Sequence, residues 1–124
     1  MEKINLPQHF ARFSEHWNPK IVGELNTFAV KIVKAQGEFV WHHHEVEDEL
    51  FFVVKGRLLM QIRETPENQR DIWVEEGELI IIPHGIEHRP VAEEETHLML
   101  LEPLTTVNTG NVASERTVWH VERL

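Results

Sequence analysis

Residues Trp41–Gly56 read WHHHEVEDELFFVVKG, a run of three histidines and four acids that leads into an apolar segment. If the histidines are extended, successive side chains point to opposite faces, so that His42 and His44 share one face and His43 takes the other. Glu49 opens the apolar segment, and its carboxylate joins the two imidazoles if the chain folds back on itself. Two imidazoles and a carboxylate suit a first-row divalent metal ion that keeps open positions for water or a substrate.

The carboxylate is less firmly assigned than the imidazoles. The neighbouring acids are Glu45, Glu47 and Asp48. A shift of one residue in the strand would select one of them, because side chains alternate between faces. Glu49 is favoured because its parity continues through Phe51 and Val53, which are expected to face the interior.

A second stretch, Gly77–His88, reads GELIIIPHGIEH: a short apolar strand, a Pro-x-Gly turn and a histidine just beyond it. Together the two stretches resemble the two motifs of the cupin superfamily. The matching positions are Gly37, His42, His44, Glu49 and Gly56 in the first motif and Gly77, Pro83, Gly85 and His88 in the second. The gap between Gly37 and His42 is one residue shorter than usual, and Ala92 stands where the pattern has an asparagine that is not a metal ligand.

The resemblance implies an all-β protein, a cupin jelly-roll β-barrel (double-stranded β-helix, RmlC-like) with a short N-terminal helix. It is closest in type to small single-domain cupins of the conserved barrel and phosphomannose isomerase-like kinds. It also implies one divalent transition metal ion (Fe, Mn, Zn or Ni). The implied ligands are His42, His44, Glu49 and His88, and Glu49 is also the candidate catalytic base, with Glu47 as a second choice.

Composition limits the class of protein. The chain has 124 residues, enough for one domain with its own core. A net charge of −9 without a basic cluster argues against nucleic acid and anionic membranes as partners. The absence of cysteine excludes disulfides, thiolate zinc sites and cysteine nucleophiles. No signal-like N-terminus or long apolar run is seen, so we expect a cytoplasmic protein.

Three segments are predicted along the chain: a 1–19 extension, a 20–104 barrel and a 105–124 tail. In the extension, apolar residues at helical spacing predict an amphipathic helix over Leu6–Trp17. The barrel region shows short strands at even spacing with turn residues between them, including an acidic turn at Ala92–Glu95. Several strands are apolar on both faces, which predicts a cover from the N-terminal helix or from a second subunit in a homodimer. The tail adds a strand to a partner subunit or folds over its own barrel mouth.

Lys55-Gly56 is typical of a tight hairpin, which would pair Val53 with Leu58. The residues that then face the interior are Leu58, Met60 and Ile62. Such a lumen suits a small organic ligand with one or two metal-binding oxygens. It does not suit a phosphosugar, since no cation is placed inside; the cations left as anion contacts are Arg57, Arg63 and Arg89.

Two functions follow from this reading. One is a metal-dependent enzyme, of oxygenase, isomerase or lyase type, acting on a small metabolite. The other is a non-catalytic sensor or small-ligand-binding barrel with a structural metal. A similarity to ring-cleaving 3-hydroxyanthranilate dioxygenases is confined to the shared barrel motifs, and fold alone does not fix function.

Overall fold

The computed structural model describes residues 1–124, and its regular secondary structure is almost entirely β. One short helix, α1 (Leu6–Phe10), comes first. The strands are β1 (Lys20–Leu25), β2 (Phe28–Glu38), β3 (Glu49–Lys55), β4 (Arg57–Thr65), β5 (Asn68–Glu75), β6 (Leu79–Ile82), β7 (Glu87–Pro103) and β8 (Glu122–Arg123). The all-β prediction is confirmed. The chain contains no helix of the length and apolarity needed to cross a bilayer.

The long strand β7 organises the barrel. It pairs with β2 along most of its length on one side. On the other side its first part pairs with β4 and its last part with β3. Strand β5 extends β4, β6 extends β3, and β1 and β8 extend β2. Because β4 and β3 occupy different stretches of the same edge of β7, the strands curl around a common interior in the cupin manner.

Alternation along the strands determines which side chains fill this interior. Phe51 and Val53 of β3 are buried, and so are the alternate residues of β4, as predicted. The buried residues of β4 are Leu58, Met60 and Ile62. Burying each such side chain contributes about 1.5–3 kcal/mol relative to exposure, so this packing is the main source of stability.

The predicted hairpin at Lys55-Gly56 is wrong. Strand β3 pairs with β6 and β7, whereas β4 pairs with β5 and β7, so the chain crosses between the two at Gly56. Gly56 has a φ of +96°, and a Cβ there would lie 2.8 Å from Oγ1 of Thr96. The short Lys-Gly signal therefore reflects a tight crossing against β7. Leu58 still faces inward, because side-chain parity does not depend on which strand is the partner.

The predicted acidic turn at Ala92–Glu95 is also absent. Strand β7 continues through these residues, but its pairing with β2 is interrupted there. Ala35 pairs with Thr96 and Gly37 pairs with Ala92, so residues 93–95 of β7 bulge opposite the single residue Gln36 of β2. The side chains of 93–95 are exposed. The acidic run therefore marks a solvated stretch of strand.

The predicted helix over Leu6–Trp17 is shorter in the structure, ending at Phe10. Trp17 has a φ of +57°, and its backbone N–H donates to the carbonyl of Lys34 at 2.8 Å. The N–H of Trp17 therefore bonds to strand β2 instead of to a carbonyl of a helix. Phe13 and Trp17 are nevertheless buried, so the apolar spacing identified the correct contact residues although the helix ends before both of them.

The outer face of the sheet is covered only in part. Phe10 and Phe13 of the N-terminal extension pack against the fully buried Ile32 of β2. Farther along the same sheet, Leu79 and Ile81 of β6 are each 55% exposed. The C-terminal tail lies on its own barrel and ends with β8 paired to β1.

Candidate metal centre

Three parts of the chain bring four side chains together at one end of the interior. His88 lies near the start of β7, Glu49 is the first residue of β3, and the remaining two histidines lie in the loop before β3. One ligand atom from each of His42, His44, Glu49 and His88 lies within 4.8 Å of the others. All four residues are at most 4% exposed. The candidate ligands predicted from the sequence therefore converge.

The loop that carries the two histidines is held by hydrogen bonds rather than by a ladder. His42 and His88 exchange both backbone bonds, at 3.0 and 2.9 Å. The N–H of Gly85 donates to the carbonyl of His44 at 2.7 Å. His43 points away from the centre and pairs with Glu45 at 2.7 Å, as its parity predicted.

Backbone carbonyls fix the protonation of two imidazoles. Nδ1 of His42 lies 2.9 Å from the carbonyl of Val40, and Nδ1 of His88 lies 2.9 Å from the carbonyl of Ile86. A carbonyl oxygen only accepts, so each Nδ1 must carry the hydrogen. In the neutral imidazoles Nε2 then presents a lone pair to the centre, which is the arrangement that a metal-ligating histidine adopts.

The atoms that face the centre have no hydrogen-bond partner. They are Nε2 of His44, Nε2 of His88 and Oε1 of Glu49. The two nitrogens lie 3.4 and 3.5 Å from that oxygen. Buried polar atoms without partners are costly. Because ligands about 2.1 Å from one ion lie at most about 4.2 Å apart, shifts of less than about 1 Å bring the four atoms to bonding distance. The donor set therefore fits a divalent metal ion.

Electrostatics keep these ligands in the protonation states that metal binding needs. Burial, reinforced by the nearby His88, lowers the pKa of His42 to about 3. Burial alone would raise the pKa of Glu49, but the adjacent imidazoles of His44 and His88 outweigh it and hold that pKa well below the ordinary value. A neutral imidazole and an ionised carboxylate are the forms that bind metal.

The other acids of the loop lie outside the centre. Glu45 binds His43, Glu47 accepts a hydrogen bond from Oγ1 of Thr105, and Asp48 binds the side chain of His84. Each of these interactions is near the protein surface. The choice of Glu49 over its neighbours, left open by the sequence, is therefore supported by the geometry.

The structure adds two buried residues that the motifs did not indicate. Nζ of Lys31 lies 3.2 Å from Oε1 of Glu102, and both side chains are 2% exposed. Burial and the adjacent Glu49 carboxylate raise the pKa of Glu102 well above its ordinary value, against the effect of Lys31. Strand parity was an available signal for Lys31, because residues two apart on a strand share a face and both Ala29 and Val33 are buried.

The interior beside the centre is nearly full. A cavity of about 30 Å³ is lined by His42, Glu49, Glu102 and mostly apolar neighbours such as Phe39 and Phe51. This volume accommodates about two water molecules. The lining is mostly apolar, as the sequence led us to expect, and Trp17 and Asn108 from the two terminal segments also contribute to it.

The predicted cations lie elsewhere. The guanidinium of Arg57 stacks on Trp73 at 3.7 Å, and that of Arg63 stacks on Trp41 at 4.0 Å. Arg89 pairs with Glu38 at 2.6 Å. These groups are already engaged on the outside of the barrel, and none lines the cavity.

Known proteins share these features. The cupin domain family matches residues 29–104. A crystal structure of a cupin-2 domain containing protein from Shewanella frigidimarina NCIMB 400 is 41% identical, covers 81% of this chain and 93% of that one, and has a TM-score of 0.75. Acireductone dioxygenase from Phaeosphaeria nodorum is 33% identical over 88 residues, which are 66% of this chain and 50% of that protein. 3-Hydroxyanthranilate 3,4-dioxygenase 2 from Aspergillus oryzae is 35% identical over 66 residues, or 53% and 36% of the two chains.

The chain spans between about a third and three fifths of the length of the first curated relatives that it matches. The match to the family covers more than half of this chain, includes all four candidate ligands, and agrees with the fold. This chain belongs to the cupin domain family.

Proposed function

We propose that this protein is a metal-dependent dioxygenase that acts on a small organic molecule and holds its metal ion with His42, His44, Glu49 and His88. The observation that carries the proposal is the set of unpartnered, buried nitrogen and oxygen atoms that converge on one point. The names of two relatives, acireductone dioxygenase and 3-hydroxyanthranilate 3,4-dioxygenase, favour dioxygenation over isomerase or lyase chemistry.

The bound ion would supply a Lewis-acid and redox centre with open positions for a substrate. The protein contributes the surroundings. The carbonyls of Val40 and Ile86 orient two imidazoles, and burial excludes bulk water. Glu49 is the one carboxylate of the ligand set, so we assign it as the candidate base for a substrate proton as well as a ligand.

The substrate we propose carries two neighbouring oxygens on a small apolar body. An ion held by these four residues would leave room for a bidentate oxygen ligand, and Phe39 and Phe51 supply apolar walls beside the centre. The cavity of about 30 Å³ is too small for such a molecule, so binding requires movement of a segment that closes it. Asn108 of the tail is the most accessible of the lining groups, since it lies in a surface loop.

Metal analysis followed by oxygen consumption tests this proposal. Protein purified without an affinity tag is expected to contain about one Fe, Mn, Zn or Ni ion per chain. Iron-loaded protein is then expected to consume oxygen with catechols, acyclic enediols or diketones. The His42→Ala/His44→Ala variant is the matched control and should do neither. Stoichiometric metal with no oxygen uptake across this panel would count against the dioxygenase.

The second candidate is a non-catalytic small-ligand-binding cupin, which the mostly apolar lining of the cavity favours. Such a protein would retain its metal and bind an organic molecule without converting it. Mass spectrometry of the native protein distinguishes the two functions, because a co-purifying molecule recovered unchanged after aerobic incubation indicates a binding protein.

We also propose a homodimer formed through the outer face of β6. Strand β6 pairs only with β3, and its exposed Leu79 and Ile81 lie next to Phe52 and Leu50 in the ladder. Contiguous exposed apolar patches commonly mark interaction sites. The expected outcome is a dimeric mass by light scattering that the Leu79→Lys/Ile81→Lys variant reduces to a monomer. Leu25→Lys, a change at an equally exposed leucine of β1, should leave the mass unchanged.

A further inference from the structure

The C-terminal tail presses against the loop that carries two of the candidate ligands. Two of its residues make the contact, Gly110 and Asn111. The tail has internal structure of its own. Oγ1 atoms of Thr109 and Thr117 lie 2.6 Å apart, and Oδ1 of Asn108 accepts from the N–H of Val118 at 2.9 Å. The contact is therefore made by a folded segment.

Asn111 binds both sides of one residue. Its backbone N–H donates to the carbonyl of His43 at 3.0 Å, and its side-chain Oδ1 accepts from the N–H of His43 at 2.8 Å. His43 lies between His42 and His44 in sequence, so this pair of bonds fixes the backbone that joins the two ligands.

Each residue of this loop is fixed by a different part of the chain. His42 is held through its paired bonds to His88, and His44 through the bond from Gly85. At His43 the tail provides the bonds. Residues 42–44 lie outside the strands apart from the single bridge at His42, so no sheet ladder replaces them.

Gly110 shows how close this approach is. It has a φ of +55°, and a Cβ at this position would overlap the carbonyl group of His43 and come within 3.2 Å of Cδ2 of His42. Any side chain at 110 must therefore push the tail and the loop apart. This close contact is a separate observation from the two hydrogen bonds of Asn111, and both involve the backbone of His43.

We propose that Gly110-Asn111 is a positioning element for the metal centre, in which Asn111 fixes the His43 backbone and thereby sets the spacing of the His42 and His44 imidazoles. The inference rests on the metal centre proposed above. Metal sites require ligand distances within about 0.2 Å of ideal values. Partners that orient ligands typically change metal affinity by about 10–100-fold when they are removed.

Cobalt binding to the full-length, metal-free protein tests the role. Co²⁺ reports its coordination through visible absorption, a readout that loss of stability alone does not alter. Gly110→Ala is expected to weaken Co²⁺ binding by about 10–100-fold and to change the spectrum of the bound ion. Asn111→Ala, which keeps the backbone donor and loses the acceptor, is expected to weaken binding by about tenfold.

A rescue variant and a control isolate the cause. Asn111→Asp retains an acceptor at Oδ1 and should bind Co²⁺ within about threefold of wild type, against the tenfold effect expected when the orienting group is lost. Thr117→Val removes hydrogen bonds inside the tail, to Thr109 and Ser114, without touching the histidine loop. It should lower the unfolding midpoint while leaving affinity and spectrum unchanged.

The outcomes separate this inference from the proposed centre. If wild type binds Co²⁺ tightly and both Gly110→Ala and Asn111→Ala bind it equally well with the same spectrum, the positioning role is wrong and the centre stands. If Thr117→Val and Asn111→Ala weaken Co²⁺ binding equally, the tail only stabilises the fold and the positioning role is also wrong. Failure of wild type to bind Co²⁺ or any other divalent ion removes the centre and this role together.

Discussion

The barrel interior contains two regions of opposite character. The apolar region includes Val53, Leu58, Met60 and Val74. The polar region consists of His42, His44, Glu49, His88, Lys31 and Glu102. All ten side chains are nearly inaccessible to solvent, yet the first set is satisfied by packing alone while the second contains atoms that lack partners.

This difference separates stability from function. Apolar burial is favourable at every position, at about 25 cal/mol per Å². Buried titratable groups are unfavourable unless each is paired and hydrogen-bonded. The polar region therefore lowers the stability of the metal-free barrel, and binding of an ion to the folded state is what offsets that cost. Substitutions of the candidate ligands should consequently affect mainly metal binding, whereas substitutions in the apolar region should affect mainly the free energy of unfolding.

The largest expected effect is the loss of metal from His42→Ala/His44→Ala. Removal of two ligands should weaken metal binding by more than about 100-fold, beyond the effect of losing an orienting partner. The metal-free variant should stay folded, because the apolar region is intact. Elemental analysis and circular dichroism measure the two properties.

His43→Ala/His84→Ala is the matched control for that experiment, since it removes two imidazoles that face the surface. It should retain one ion per chain. Stoichiometric metal in His42→Ala/His44→Ala would contradict the ligand assignment directly.

Within the polar region, Lys31→Met should be strongly destabilising. It leaves Glu102 buried without the cation that lowers its pKa, so this group must either stay charged without a partner or take up a proton, and breaking one side of a buried ion pair typically costs up to about 3–5 kcal/mol. The double variant Lys31→Met/Glu102→Gln should recover most of that free energy of unfolding, because no unpaired titratable group remains. Urea denaturation at pH 7 measures the free energy of unfolding of both variants. A double variant less stable than the single one would show that burying Glu102 without Lys31 does not destabilise the fold.

The sequence indicated the four candidate ligands of the polar region but not its ion pair, for a physical reason. His42, His44, Glu49 and His88 occur in two short motifs, so their spacing can be seen in the local sequence. Lys31 and Glu102 lie 71 positions apart in sequence and meet only because β2 pairs with β7, so no local spacing records them. In addition, the alternation of β2 places Phe28, Val30 and Ile32 on one face, and that more apolar face turned out to be the outer one, covered in part by Phe10 and Phe13.

The fold prediction was likewise correct where it depended on local sequence and wrong where it depended on pairing between distant strands. Parity along β3 and β4 correctly indicated which side chains face inward, since alternation is local. The hairpin at Lys55-Gly56, the turn at Ala92–Glu95 and the long N-terminal helix required knowledge of strand partners. The first two were decided by β7, whose residues pair with three other strands. The third was decided by β2, whose Lys34 carbonyl accepts from the backbone of Trp17.

In the apolar region, Leu58→Ala should lower the free energy of unfolding by about 2–5 kcal/mol, because it leaves a cavity at a fully buried position. Metal affinity should change by less than about threefold, since independent sites separated by the core add with little coupling. Urea denaturation and metal titration of the folded variant measure the two effects. A loss of affinity as large as that of the ligand variants would show that the regions are coupled.

A difference in the pH dependence of stability tests the cost of the polar region most directly. In metal-free protein, burial holds the pKa of His42 at about 3, against 6.5 for an unperturbed histidine. Between these two values the unfolded chain binds a proton at His42 and the folded chain does not. The free energy of unfolding should therefore fall as the pH falls, by about 1.4 kcal/mol per pH unit from this group alone.

His42→Leu, studied with a chelator present, should lose that part of the slope. Val53→Ala should instead lower stability equally at every pH, because a cavity has no proton to bind. Parallel curves for wild type and His42→Leu would mean that burying this imidazole costs the fold nothing, and the contrast between the two regions would then rest on metal binding alone.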